Sequence, residues 1–228
     1  MSSMLAGKLP VTGLLTGMSF VLILAFSIPL GIFTARHAGG RLDRAMTAVN
    51  QVLMAIPAFV TGILLTYVFG LVLRWFVPGN YVSPGDNFGA SLWYFLFPAV
   101  SIALPRVAMT VKMLRSSILS ELQKDYVRTS HSRGNSDRAT LYRHVLRNAM
   151  GPVVSFLAMT VADIVAGSVV IEQVFSLPGL GRMLLTSIAN RDYPVVQAVV
   201  VIVAFWVVLV NLLADLINQR LDPRLRLT

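Results

Sequence analysis

Five long apolar runs constrain this chain more than any other feature of its sequence. They lie at about residues 11–34, 45–73, 91–113, 149–171 and 194–217. At about 1.5 Å per residue, each run is long enough to cross about 30 Å of hydrocarbon. Hydrophobic residues make up 56% of the 228 residues and charged residues only 13%, which excludes an ordinary soluble domain. The sequence therefore predicts an all-α, polytopic membrane helix bundle.

Two features subdivide this bundle. A polar lead at residues 1–10 precedes the transmembrane domain at residues 11–217, and a basic tail follows it at residues 218–228. The second apolar run is interrupted by Ile56-Pro57, and we expect a break there because proline lacks the amide donor that a helix needs.

Positive charge is distributed unequally between the two sides of the predicted bundle. If the loop after the first run, the segment 116–148 and the tail share one face, that face carries Arg36, Arg41, Arg44, Lys112, Arg115, Lys124, Arg128, Arg133, Arg138, Arg143, Arg147, Arg220, Arg224 and Arg226. The opposite face carries only Lys8, Arg74, Arg182 and Arg191. This bias predicts that segment 116–148 is cytoplasmic. Five spans then put the N-terminus outside, so we expect a sixth helix upstream.

The pattern of segment 116–148 predicts a helical hairpin on the cytoplasmic face. This hairpin is strongly basic over residues 121–148. Apolar residues recur at helical spacing on both sides of Gly134, which indicates two short amphipathic helices. Gly134 and Asn135 form a helix stop, because both residues accept a positive φ at little cost. A basic hairpin at a membrane face predicts a binding element for a soluble partner.

This hairpin resembles the EAA loop, the cytoplasmic coupling loop of permease subunits of bacterial ABC importers. In that pattern a short triplet is followed after three residues by a glycine, as Arg128-Thr129-Ser130 is by Gly134. Further stretches are similar to the first-type permease of the dipeptide, oligopeptide and nickel family, namely residues 174–182, 191–197, 211–215 and 221–224. The resemblance extends from about Leu9 to Arg226.

The resemblance implies a permease subunit in the bacterial cytoplasmic (inner) membrane that forms half of a pathway for peptides or for related solutes such as nickel chelates. It implies a second permease as heterodimer partner, two cytoplasmic ATP-binding subunits, an extracytoplasmic solute-binding protein and membrane lipid. No nucleic-acid partner is expected, because topology explains the net charge of +9 better. ATP and Mg²⁺ would be held by the partner subunits, since Gly7-Lys8 is followed by Leu9 and not by the Ser or Thr of a nucleotide-binding loop.

Two sets of residues are candidates for function. By the resemblance, contact with the ATPase is expected of Asp125, Tyr126, Arg128, Thr129, Ser130 and Gly134. The turn-rich element around Pro178, Gly179 and Gly181 is a candidate external gate. We expect no catalytic residue, cofactor site or metal site on this chain, because its three histidines lie apart in loops without clustered ligands.

Asp163 supports an alternative function. A carboxylate inside a span is costly unless it is paired or faces water, so Asp163 lies either in the translocation path or in a helix–helix contact. A secondary transporter or channel could use Asp163 as its ion site and would need no ATPase. A membrane scaffold without transport is a third possibility, and its deletion would leave uptake unchanged.

Overall fold

The computed structural model describes residues 5–221, and the regular secondary structure in that part of the chain is all helical, with a non-helical connection at residues 73–87. In chain order the helices are α1 (Leu9–Arg36), α2 (Arg41–Ala55), α3 (Ala58–Leu65) with a π-helical end (Thr66–Val72), α4 (Phe88–Leu122), α5 (Asp125–Ser132), α6 (Asp137–Thr140), a π-helical turn (Leu141–Val145), α7 (Leu146–Val174), α8 (Leu180–Ala189) and α9 (Tyr193–Leu221). The predicted tail beyond Leu221 and the first four residues of the lead lie outside the described residues.

Helix α4 lies at the centre of the bundle. It starts at Asn87, whose side chain accepts a hydrogen bond from the amide of Ala90 over 3.0 Å and so satisfies one free donor of the first turn. In the most apolar 18-residue stretch of α4, 61% is buried inside the chain. The corresponding share for α9 is 11%. Helix α1 packs along α4, and Gly31 permits close approach, because a Cβ there would lie 2.7 Å from Cδ2 of Leu114.

The second apolar run is bent and does not form one straight helix. The helical stretches Arg41–Ala55 and Ala58–Val72 meet at 92°. Ile56 and Pro57 are both extended, with ψ of 120° and 142°, because a proline disfavours the α conformation at the residue before it. Over residues 5–221, four helices are long and apolar enough to cross a membrane, or five if this bent pair counts as one span.

The hairpin also differs from the expected pair of short helices. Its first arm contains the separate helix α5, but its second arm is the start of the next spanning helix, which runs without interruption from Asp137 to Val174 over 38 residues. Leu141, Val145 and Ala149 are buried on one side of this helix, in line with the stripe that continues through α7. The apolar spacing that indicated a short amphipathic helix therefore belongs to the N-terminal end of a long one.

Helix α9 is the least buried long helix. It packs on α7 and α8 and leaves many large apolar side chains exposed, among them Val200, Val201, Phe205, Trp206, Val208, Leu212 and Leu213. Such a surface is stable in lipid or against another apolar helix, which agrees with a membrane location.

Candidate functional site

Helix α5 ends at Gly134, where the backbone conformation is the reason for a glycine. Gly134 has φ +80° and its amide donates to the carbonyl of His131 over 2.9 Å, while the amide of Asn135 donates to the carbonyl of Ser130 over 3.3 Å. No atom lies within 4 Å of the position that a Cβ of Gly134 would take. The glycine is therefore needed for its left-handed conformation and not for space.

The inner face of α5 is held by a buried polar contact. The Ser130 hydroxyl lies 2.9 Å from that of Thr140, and the side-chain amide of Asn135 donates to Ser130 Oγ over 3.1 Å. Val127 and Ser130 are both buried. Ser130, a candidate contact to the ATPase, thus lies inside the hairpin and joins its two arms.

The outer face of α5 is polar and exposed. Asp125 and Arg128 expose 96% and 83% of their side chains, and Thr129 is exposed beside them. The 3.7 Å contact between the Arg128 guanidinium and the Asp125 carboxylate is a surface ion pair of little energetic value. These three candidate residues form a surface that a partner protein can reach.

Tyr126 connects α5 to the end of α4. Its hydroxyl donates to Oε2 of Glu121 over 2.8 Å, and Lys124 contacts the other oxygen of that carboxylate over 2.5 Å. The pKa of Tyr126 is raised above its ordinary value, mainly by burial. The hydroxyl therefore stays protonated and remains a donor. This places Tyr126 in the base of α5 and not on its outer face.

An ion pair missed by the sequence analysis stabilises the neighbouring end of α4. Arg115 donates from Nε and Nη2 to the two carboxylate oxygens of Asp43 over 2.7 and 2.6 Å, and the amide of Gly39 donates to Asp43 over 2.9 Å. The Asp43 side chain is only 6% exposed. This bidentate pair joins the start of α2 to α4. The sequence contained a signal for this ion pair, because Asp43 is the sole carboxylate in the basic segment 35–44.

The turn-rich element around Pro178, Gly179 and Gly181 folds around a buried carboxylate. Glu172, at the end of α7, is fully buried and accepts hydrogen bonds from Thr12 Oγ1 over 2.7 Å and from the amide of Arg182 over 2.9 Å. Thr12 Oγ1 in turn accepts from the amide of Leu180 over 2.8 Å. Glu172 therefore binds the first turn of α8 and also α1, and neither Glu172 nor Thr12 was a candidate residue from the sequence.

The two glycines of this element make that packing possible. A Cβ on Gly179 would overlap the carboxylate of Glu172, and one on Gly181 would lie 2.5 Å from Cα of Val169. Pro178, between buried Leu177 and Gly179, is half-buried. The candidate gate is thus a tightly packed turn.

Asp163 has a neighbour that the sequence analysis did not weigh. Arg106 on α4 donates from Nη2 to the backbone oxygen of Asp163 over 2.8 Å and from Nη1 to the carbonyl of Ile102 over 3.1 Å. The Asp163 side chain is exposed on the surface of the chain. An arginine in the middle of an apolar run, as in Pro105-Arg106, was the available signal.

A family model described as binding-protein-dependent transport system inner membrane component matches residues 27–227. The chain is 34% identical over 225 residues to a probable peptide ABC transporter permease protein of Sinorhizobium fredii, covering 98% of this chain and 71% of the relative. It is 35% identical to the oligopeptide transport system permease protein AppB of Bacillus subtilis, covering 98% and 72%, and 33% identical to the nickel import system permease protein NikB of Staphylococcus aureus, covering 96% and 63%.

Solved structures share the fold. A chain of the inward-facing MetNI methionine ABC transporter superposes with a TM-score of 0.77 over 97% of this chain and 98% of that chain, at 16% identity. A second crystal form of the same transporter gives a TM-score of 0.73 at 18% identity. At this level of identity the likeness establishes the architecture of the helix bundle.

Proposed function

The chain belongs to the family of binding-protein-dependent transport system inner membrane components, and from this premise we propose that it carries peptides across the bacterial inner membrane. It is a multi-pass permease subunit of an ABC importer, a class of subunit that is not itself an enzyme. The family offers no support for a secondary transporter that uses Asp163 without an ATPase. It offers none for a scaffold without transport.

The peptide class is favoured over nickel chelates by the relatives. Two of the three relatives named above are described as peptide or oligopeptide permeases, and they are 34% and 35% identical to this chain. The nickel import permease is similar at 33%, so a nickel chelate is the second candidate solute.

The family requires partnership with other ABC components. We propose a finer composition, with a second and different permease, two cytoplasmic ATP-binding subunits that hold ATP and Mg²⁺, and an extracytoplasmic solute-binding protein. The apolar exposed face of α9 supports an intramembrane neighbour, either lipid or another helix. The short, exposed helix α5 supports a soluble neighbour on the cytoplasmic side.

One observation carries the proposed coupling to ATP, namely the two-sided character of α5. Its inner face is fixed to the bundle through Val127 and Ser130, whereas its outer face presents Asp125, Arg128 and Thr129. A helix fixed in this way transmits a displacement of its outer face to α4 and α6 instead of absorbing it. Gly134 sets the angle between the arms, and two alternative packings of the bundle supply the bistable element that transport requires.

The element Pro178, Gly179 and Gly181 is proposed as the external gate or as a contact for the solute-binding protein. Its position supports this, because it joins α7 to α8 and is hydrogen-bonded to α1 through Glu172 and Thr12. Movement between these helices must change that element.

The proposal is tested with the assembled complex in proteoliposomes. The subunit is coexpressed with the partner permease and ATP-binding subunits, and uptake of a labelled peptide mixture is measured with the solute-binding protein outside and ATP inside. We expect uptake that depends on ATP. The matched control replaces the catalytic glutamate of the ATP-binding subunits. Equal uptake by the control, or uptake by this subunit alone, would contradict the proposal.

A further inference from the structure

We propose that Asp163, with Arg106 beside it, is a contact for cationic groups in the solute path, and that it takes the α-ammonium group of a passing peptide. This inference rests on the proposed function and deepens it, because it assigns a chemistry to one point on the path. It follows from the depth of the pair, from how Arg106 is held, and from which of the two charges is exposed.

Both residues lie far from the ends of their helices. At a rise of about 1.5 Å per residue, Arg106 is about 27 Å from the start of α4 and about 24 Å from its end. Asp163 is about 17 Å from the end of α7 by the same measure. Charged side chains at such depth are expensive in lipid, and they face a partner or a water-filled cavity.

Arg106 is held in place by the backbone of two helices. Its Nη1 and Nη2 donate to the carbonyls of Ile102 and Asp163, and Gly167 leaves room for the guanidinium, since a Cβ there would lie 3.1 Å from Nη2. Its Nε is buried and finds no hydrogen-bond partner among the described residues. The guanidinium is therefore a fixed positive charge, half-buried at the seam between α4 and α7.

The Asp163 carboxylate is the exposed member of the pair. Its backbone oxygen binds Arg106, while its side chain is exposed on the outer surface of α7. The neighbouring side chains on the same surface are apolar. Met159 is 65% exposed, and Ala166 is also exposed. An exposed carboxylate on an apolar surface at membrane depth cannot face lipid at low cost, and of the two remaining environments, a partner or water, we take water for this surface of α7.

The chemistry of this surface suits one end of a peptide. The carboxylate of Asp163 accepts hydrogen bonds from an ammonium group. Because Arg106 offsets part of the negative charge, a bound cation is released more readily than from an isolated carboxylate. Methionine beside it accommodates side chains of different shape. A single carboxylate provides too few ligands to hold a metal ion.

Charged thiol reagents test the sign and accessibility of this surface without knowledge of the solute. The chain has no cysteine, so Ala166→Cys introduces the single thiol of this subunit, on the exposed side of α7 near Asp163. The assembled complex in proteoliposomes is treated with methanethiosulfonates of matched size carrying a positive or a negative charge. Labelling of this chain is followed by mass spectrometry.

We expect the cationic reagent to react faster, and Asp163→Asn to lower the ratio of cationic to anionic rates by about tenfold at low salt, from the field of one charge at about 6 Å in water. Arg106→Gln should raise the ratio, and Asp163→Glu should preserve it. Val208→Cys on α9, exposed to 66%, is the control for an apolar surface that meets lipid or another helix, and it should react slowly.

Two results would overturn the inference. One is a thiol at position 166 that labels only after denaturation, and the other is a rate ratio that Asp163→Asn leaves unchanged in a complex that assembles normally. A separate experiment in detergent tests the assignment to the α-ammonium group. Millimolar peptide should slow labelling of the thiol at position 166, and the N-acetylated peptide should not. Equal protection by both peptides contradicts it. Failure of the proposed function gives a different result. In that case the wild-type complex shows no ATP-dependent peptide uptake, whatever the outcome of the labelling.

Discussion

The hydroxyl of Thr12 donates a 2.7 Å hydrogen bond to the carboxylate of Glu172, across 160 residues of sequence and at the junction of three helices. The same hydroxyl oxygen accepts the amide of Leu180, so one side chain joins α1 to both α7 and α8. Because Glu172 is fully buried, loss of these bonds leaves polar groups without compensation.

Replacement of Thr12 by valine keeps the shape of the side chain and removes both hydrogen bonds. We expect this variant to lose about 1–3 kcal/mol, the usual cost of an unsatisfied buried group, and to show a lower apparent Tm in detergent. Thr12→Ser keeps the hydroxyl and is the matched control. Equal Tm values for the valine and serine variants would show that the contact contributes nothing.

Gly181 should not tolerate even alanine. The added Cβ would lie 2.5 Å from backbone Cα of Val169, which cannot move without shifting α7. We expect Gly181→Ala to reduce the yield of folded complex and to lower its Tm by several degrees. Gly151→Ala is the control, because no atom lies within 4 Å of its Cβ position and it lies within α7. The measurement is thermal unfolding of both purified complexes, and a Gly181→Ala complex as stable as Gly151→Ala contradicts the packing.

Gly134 should tolerate asparagine but not valine. At φ +80° a β-branched residue is strongly disfavoured, whereas asparagine is among the residues that adopt this region most readily. We expect Gly134→Val to reduce peptide-stimulated ATP hydrolysis and uptake about tenfold or more, and Gly134→Asn to retain most of both. The two activities are measured in the same proteoliposomes. Full coupling in the valine complex would show that the angle of α5 is unimportant.

The ion pair between Asp43 and Arg115 should be worth more than a surface pair. Asp43 is 6% exposed and Arg115 29%, so solvent screens them only in part. We expect Asp43→Ala to cost about 1–3 kcal/mol, less than the roughly 3–5 kcal/mol of a broken fully buried pair, because Arg115 is partly exposed. A double-mutant cycle with Arg115→Ala measures the coupling energy, by thermal unfolding at two salt concentrations. A coupling energy near zero would place this contact among ordinary surface pairs.

Arg128 should affect partner binding without affecting the fold. It is 83% exposed, and the ion pair that it forms with Asp125 is weak. We therefore expect Arg128→Glu to leave the Tm of the isolated permease pair unchanged and to weaken binding of the ATP-binding subunits at least severalfold, measured by titration in detergent. Arg191→Glu, exposed in the connection between α8 and α9, is the charge-matched control. Equal binding by both variants would argue against a docking role of α5.

Much of the architecture was predictable from apolar length alone, because a helix must supply its own backbone hydrogen bonds in lipid. The apolar runs and the turn at Gly134 followed from local patterns. The bend at Pro57 was expected as a break, but its angle of 92° depends on what packs against each half. The hairpin's second arm was misread as a short helix, since apolar spacing does not show where a long helix begins.

Sequence by itself determined the helical class of the fold, the approximate number of spans and the family resemblance, because these depend on short segments read one at a time. Only the tertiary structure decided that Ser130 faces inward, and that Asp43 meets Arg115, Thr12 meets Glu172 and Asp163 meets Arg106. The partners in the last three pairs are separated by 72, 160 and 57 residues. In helices apolar on every side, periodicity does not reveal which face meets which neighbour, so the polar contacts depend on three-dimensional packing.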